Sequence, residues 1–323
     1  MTPYLMKAAF LDFATVGSDE LDDSPLRELT DELHVYDNTP AEEVVSRIDG
    51  VDIVYINKVR MTREIIEGAG TLKFLGLVAT GVDNVDLEAA REQGVAVCNI
   101  RAYCTNSLVE HVFAMMLSLS HSLGPYHHSV RRGDWANAVN FCMLGYPLRE
   151  LSAMTMGIVG HGTLGSNVAR VAEAFGMDVR ISVRPGSDKP ELGRTPFADI
   201  LTECDVISLH CPLTDDTHKL IGRPELEQMK TSAILINTAR GGLVDSAALV
   251  DALTEGTIAA AGIDVLSQEP PVDGDPLLDY RGDNLIVTPH IAWASVEARQ
   301  NAINEVAKNV AAYLAGEERN RVV

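Results

Sequence analysis

Residues 157–165, GIVGHGTLG, decide how the rest of the chain is read. The apolar run 154–160 predicts a strand and 163–175 predicts a helix. Between them Gly160, Gly162 and Gly165 satisfy GxGxxG. A lone match to that pattern is weak, and a glycine-rich turn without a ligand would also satisfy it. Between a strand and a helix each glycine has its own physical role. The three roles are a tight turn, close approach of backbone to a pyrophosphate, and close packing of helix on strand. The amides of Thr163 and Leu164, at the helix start, would face the phosphates. His161 fills a variable position of the motif.

The next predicted strand, 178–183, ends at Val183, where a dinucleotide site ordinarily carries Asp or Glu for the adenosine ribose. A carboxylate there pairs with both ribose hydroxyls and repels a 2′-phosphate. Valine does neither, and Arg184 behind it offers a fork of donors that matches a phosphate. Ser182 and Ser187 add hydroxyls nearby. The expected cofactor is therefore NAD(P), with NADP favoured over NAD. The alternative is a solvated Arg184 and NAD held by a weaker ribose grip.

Working outward, strands are predicted at 205–210, 233–239, 259–265 and 285–288, with helices at 197–203, 224–229 and 245–254. The first hundred residues repeat the alternation. Apolar runs at 7–13, 51–57, 73–79 and 95–100 predict buried parallel strands, with a short run at 34–36 as a further candidate. Helical segments fall at 24–34, 40–48, 62–69 and 85–93. A long apolar helix, 105–123, and a terminal helix, 294–315, complete the pattern. The fold class is α/β, with two doubly wound parallel-sheet domains.

The chain has 323 residues, 46% apolar and 22% charged, enough for two domains with separate cores. No apolar run is long enough to span a membrane, and MTPYLMKAAFLDF at the start predicts a strand, not a signal peptide. The five cysteines lack a CxxC pair, which points to reduced thiols, a cytoplasmic setting and no zinc knuckle. The formal charge of -20 repels polyanions and argues against a nucleic-acid or membrane partner. An anionic small substrate then needs local cations or helix N-termini. His121, His127 and His128 lack the carboxylate spacing of a metal site, so no metal is expected. Asn57 and Lys58 either face a substrate or form a solvated strand end, and Trp293 either walls a pocket or packs the last helix.

Polar groups at strand ends carry the chemistry. INTARGG (236–242) places Arg240 after an apolar strand, GIDVLSQEP (262–270) carries Asp264 and Glu269, and VTPHIAWAS (287–295) carries His290. In a doubly wound sheet, carboxyl ends of strands open onto the ligand crevice. The set suits reversible reduction of a 2-keto acid. Arg240 would bind the carboxylate and polarise the keto oxygen, His290 would transfer the proton, and Glu269 would orient the ring and favour its charged form.

With NKVRMT (57–62), LVATGVDNVDLEAA (77–90), DVISLHCPLTDDTH (205–218) and NLIVTPHIAWAS (284–295) added, the chain resembles the D-isomer specific 2-hydroxyacid dehydrogenase family over nearly its whole length. The likeness is strongest to the glycerate dehydrogenase/hydroxypyruvate reductase branch. It implies a flavodoxin-like substrate domain of residues 1–100 and 291–323 and a Rossmann-type dinucleotide domain of 101–290, with a cleft that closes on ligand. It implies Arg240, Glu269 and His290 as catalytic, and Ala79, Thr80 and Gly81 as amides for the substrate carboxylate, with Arg240 and His290 also touching substrate. It further implies cofactor contacts from Thr105, His210, Cys211, Pro212, Thr217, Thr238, Ala239 and Asp264, and a homodimer with the 105–123 helix near the contact. The expected reaction is reduction of hydroxypyruvate or glyoxylate. The alternatives are another 2-hydroxyacid such as D-lactate, or a dinucleotide-sensing binding protein similar to the co-repressors of the superfamily.

Overall fold

In the computed structural model, which describes residues 5–17, 20–184 and 192–323, the first hundred residues build a parallel sheet. Its strands are β1 (Lys7–Phe10), β2 (Glu32–Val35), β3 (Ile53–Ile56), β4 (Phe74–Leu77) and β5 (Ala96–Cys98). The order is β2-β1-β3-β4-β5, the flavodoxin-like winding. Every residue of β3 and β4 is buried, as strands covered on both faces require. The helix Val296–Leu314 packs Ala302, Ile303, Val306 and Val310 into the same core as Tyr55 and Phe74.

One expectation fails here. The helix predicted over 24–34 is confined to Ser24–Arg27, and the chain turns into β2. Glu32, Leu33, His34 and Val35 alternate in exposure, and pairing with β1 in the register Lys7↔Glu32 to Phe10↔Val35 overrides the helical reading.

The second sheet comprises β6 (Thr155–Val159), β7 (Asp178–Ile181), β8 (Val206–Leu209), β9 (Ile234–Asn237), β10 (Ala260–Ile263) and β11 (Leu285–Val287). Its order is β11-β10-β9-β8-β6-β7, all parallel. A single parallel bridge, Ser182↔Thr195, adds a vestigial strand outside β7. Counting it gives the 3-2-1-4-5-6 winding of dinucleotide-binding sheets with β11 added as a seventh strand at the far edge, and the winding reverses between β6 and β8.

The predicted helix 105–123 ends earlier, as Thr105–Ser120. A second helix, Leu123–Arg132, follows a left-handed Ser122 with φ 47°. Ser122 directs its hydroxyl to the Pro147 carbonyl, and Pro125 sits in the first turn of the new helix, where it removes no needed donor. The contacts divide the chain into Met1–Cys104 with Trp293–Val323, and Thr105–Ala292. No helix among the described residues is long and apolar enough to cross a membrane.

Candidate active site

The fingerprint turn is built by close contacts that only glycine permits. Gly160 has φ +97°, and a Cβ there would run into the backbone of His210 and Cys211 at the end of β8. A Cβ on Gly165 would overlap the Gly160 carbonyl. At Gly162 a Cβ would meet nothing within 4 Å, so the turn is open on the side a pyrophosphate would approach. No side chain caps the helix Thr163–Ala174 that follows, and the first-turn amides of Thr163 and Leu164 point outward from its start.

Val183 donates its amide to the Thr195 carbonyl, and Ser182 is buried with its hydroxyl donated to the Val183 carbonyl at 2.8 Å. Ser182 is therefore engaged within its own turn. Arg184 is exposed and makes no ion pair among the described residues. Ser187 lies outside the described residues. At the end of β8, burial pushes His210 down to about 4, a neutral ring whose Nε2 meets Ser208 Oγ at 2.8 Å. Burial pushes the Cys211 thiol up to about 11, which makes it packing and not a nucleophile. Thr217 donates to the Pro212 carbonyl at 2.8 Å and accepts the Thr214 amide at 2.7 Å, holding the loop after β8 in shape.

After β9 the chain turns sharply, and a residue not singled out from sequence governs the turn. Asn237, fully buried, accepts the Ala239 amide at 3.1 Å and donates to the Arg240 carbonyl at 2.9 Å. This projects Arg240 into solvent, where its Nη1 bonds back to the Ala239 carbonyl at 2.7 Å. Thr238 Oγ1 is buried without a protein partner, a polar atom left for a ligand. The dinucleotide fits these residues: an open glycine turn and uncapped helix amides follow β6, and an orphaned hydroxyl follows β9, at the carboxyl edge of one sheet.

Beyond β10, Asp264 is 1% exposed. Its Oδ1 accepts the Thr288 hydroxyl at 2.6 Å and the Ile291 amide at 2.8 Å, and its Oδ2 accepts the Ala292 amide at 2.9 Å. Its own carbonyl takes the His290 amide at 2.7 Å. One residue thus holds the whole turn 288–292, in which His290 adopts φ 56°. His290 Nδ1 meets Glu269 Oε2 at 2.6 Å, and Glu269 Oε1 accepts the Leu266 amide at 2.9 Å. The ring is 29% exposed and the carboxylate 35%, so the pair is reachable from solvent. An imidazole braced at Nδ1 by a carboxylate presents Nε2 for proton transfer and has its positive charge balanced. A Cβ on Gly241 would collide with Leu266, so this glycine lets the Arg240 turn lie against the segment leading to Glu269.

Ala79, Thr80 and Gly81 belong to the first unit, in the loop after β4. Ile100 donates its amide to the Ala79 carbonyl at 3.1 Å, and Asn99 Nδ2 donates to the Thr80 carbonyl at 2.7 Å. In a trans peptide the N–H points opposite the C=O, so the Thr80 and Gly81 amides turn away from β5. Amides presented in succession suit a carboxylate. Asn57 does not face outward: it is buried and donates to Thr15 Oγ1 at 3.0 Å, while Asp12 accepts the amides of Asn57, Lys58 and Val59. Trp293 joins the first unit's core and meets Tyr103 edge-on. Among the described residues no cluster of three or more His, Cys, Asp or Glu could hold a metal ion.

A profile for the D-isomer specific 2-hydroxyacid dehydrogenase, NAD binding domain, matches residues 113–292. The chain belongs to the D-isomer specific 2-hydroxyacid dehydrogenase family. It is 46% identical to a glycerate dehydrogenase of Methylorubrum extorquens, over 98% of both chains. It is 37% identical to a hydroxypyruvate reductase of Blautia hydrogenotrophica, over 98% of this chain and 99% of that one. Among solved structures it is similar to an acyclic imino acid reductase in complex with NADPH and D-Arg, with TM-score 0.84, 27% identity, and coverage of 98% and 100%. As a family member the protein is an NAD(P)-dependent oxidoreductase acting on D-2-hydroxy acids and their 2-keto acids. A dinucleotide-sensing co-repressor is not favoured, since these relatives are a dehydrogenase and reductases.

Proposed function

We propose that the protein reduces hydroxypyruvate or glyoxylate to D-glycerate or glycolate, with NADPH favoured over NADH. The observation that carries this reading is the Glu269–His290 contact of 2.6 Å at a strand end of a dinucleotide-binding sheet. The likeness to a glycerate dehydrogenase and a hydroxypyruvate reductase over nearly the full chain supports the choice of substrate.

With a nicotinamide cofactor bound, the hydride for the keto carbon would come from it. His290 Nε2 gives a proton to the keto oxygen, so one hydride and one proton convert C=O to CH–OH. Glu269 fixes the ring through Nδ1 and balances its charge. Arg240 would bind the substrate carboxylate and polarise the keto oxygen, and the Thr80 and Gly81 amides are of the kind that suits a carboxylate. On the cofactor side, Gly160, Gly162, Thr163, Leu164 and Gly165 cradle the pyrophosphate. Asp264, whose Oδ2 accepts the Ala292 amide, would hold the nicotinamide carboxamide. Thr238 and Ala239 meet the nicotinamide ribose, and Thr105 lies at a helix start toward the cofactor. Cys211 and Pro212 lie against the adenosine, with His210 and Thr217 shaping that wall. Arg184 replaces the usual ribose carboxylate and would pair with a 2′-phosphate.

The working form is inferred to be a homodimer. In the segment 135–148, Val139 is 100% and Phe141 91% exposed, with Trp135, Leu144 and Leu148 also outward. Apolar exposure on that scale marks an interface. Five unpaired thiols fit a reducing cytoplasm. The test is oxidation of NADPH and NADH with hydroxypyruvate, glyoxylate and pyruvate. Turnover with hydroxypyruvate or glyoxylate well above pyruvate supports the reading, and absence of turnover with all three overturns it.

A further inference from the structure

The helix Thr105–Ser120 carries His111 to the buried Asp264. The ring is 18% exposed, and its Nε2 lies 3.0 Å from Thr288 Oγ1 and 3.5 Å from Asp264 Oδ1. Thr288 Oγ1 is itself 2.6 Å from Asp264 Oδ1. Asp264 is an acceptor throughout, taking the Ile291 and Ala292 amides, so the Thr288 proton points at it. The Thr288 oxygen then offers a lone pair to His111, and Nε2 must carry the hydrogen. The bonds run one way, from His111 Nε2–H to Thr288 O–H to Asp264.

This chain ends on the residue that holds His290. A non-glycine residue at φ 56° costs about 1–3 kcal/mol and persists only where its surroundings over-determine it. Here the surroundings are Asp264, with its carbonyl on the His290 amide and its carboxylate on the next two amides. Thr288 is the fourth tie, at the start of the same turn. If its oxygen lost the His111 donor, its hydroxyl could rotate away from Asp264 and leave that oxygen under-satisfied.

We propose that His111 is a positioning residue which, through Thr288 and Asp264, fixes the left-handed turn that aims His290 at the substrate. The inference rests on the reading of His290 as proton donor. A hydrogen bond lost behind a working group costs roughly two- to tenfold.

The test compares His111→Ala with His111→Gln, whose side-chain amide keeps an N–H donor at similar reach. Expected for His111→Ala is a loss of kcat of roughly three- to tenfold. The melting temperature should stay within a few degrees, and the NADPH dissociation constant, read by cofactor fluorescence, should stay near its starting value. His111→Gln should recover most of the loss. Thr288→Val should reproduce the loss, Thr288→Ser should recover it, and adding His111→Ala to Thr288→Val should cost little more. Wild-type kcat in His111→Ala overturns the inference. So does a loss that neither conservative variant recovers, or one matched by falls in melting temperature and cofactor affinity. If His111→Ala does not fold, the Thr288 pair decides alone. His290→Ala is measured alongside. If it retains turnover, the reading of the site fails. If it loses turnover while His111→Ala does not, only the present inference fails.

Discussion

Two single residues carry predictions of their own, Arg184 for the proposed cofactor choice and His210 for the acid response. Arg184 is exposed and follows Val183, which stands where a ribose-binding carboxylate is usual, and the proposed preference for NADPH rests on the Arg184 guanidinium meeting a 2′-phosphate. Arg184→Ala should weaken NADPH binding about tenfold or more and NADH binding little, since a charge-assisted pair contributes about 1.5–3 kcal/mol. Equal effects on both, measured by fluorescence titration, would return Arg184 to a solvated cation. His210 is held down to about 4 by burial, against about 6.5 in an unfolded chain. As pH falls from about 6.5 to about 4, the unfolded chain takes up a proton that the folded chain refuses. Stability from this group is full above that window and is lost across it, by roughly 3 kcal/mol in all. Asp205, Asp245 and Glu305, held low by partners, lose their contribution only as pH falls below the ordinary carboxylate range. Denaturant unfolding across the upper window should show the decline, and His210→Gln should flatten it. An unchanged slope in that variant would contradict the assignment.

At the scale of elements, the loops matter more than the strands that bear them. The Thr80 and Gly81 amides owe their direction to Asn99, which holds the Thr80 carbonyl. Asn99→Ala should raise KM for the keto acid several-fold to about tenfold, the worth of one hydrogen bond, with kcat and cofactor affinity little changed. An unaltered KM would show that the amides need no such brace. The strands were legible because buried parallel strands are continuous apolar runs, and GxGxxG between strand and helix marked the turn. Arg240, Glu269 and His290 were legible as polar residues after apolar strands. Asn99, Thr288 and His111 were not, because their work is hydrogen bonding to residues distant in sequence, and Asn237 was not, because its work is a local turn that no motif marks. Only the isolated polar residue closing an apolar run, as at Asn237, hinted at it. The failed helix at 24–34 and the break at Ser122 have a related cause. Strand pairing with β1 decided the first, and a tie from Ser122 to the Pro147 carbonyl accompanies the second.

For the whole molecule, the exposed apolar segment 135–148 predicts self-association. Phe141→Asp with Leu144→Asp should shift the sedimenting species from dimer to monomer with the fold retained, and an unaltered dimer would place the interface elsewhere. The formal charge of -20 sets the field of the whole chain against an anionic keto acid, so its recognition requires local donors. The central claim is proton transfer by His290 to a keto acid as the nicotinamide is oxidised. The measurement that meets it most directly is steady-state reduction of hydroxypyruvate by the wild-type protein and His290→Ala, with NADPH affinity determined on both. The account predicts a fall in kcat of about 10²–10⁴-fold at nearly constant cofactor affinity. Retained turnover, or a loss explained by failure to bind NADPH, would contradict it.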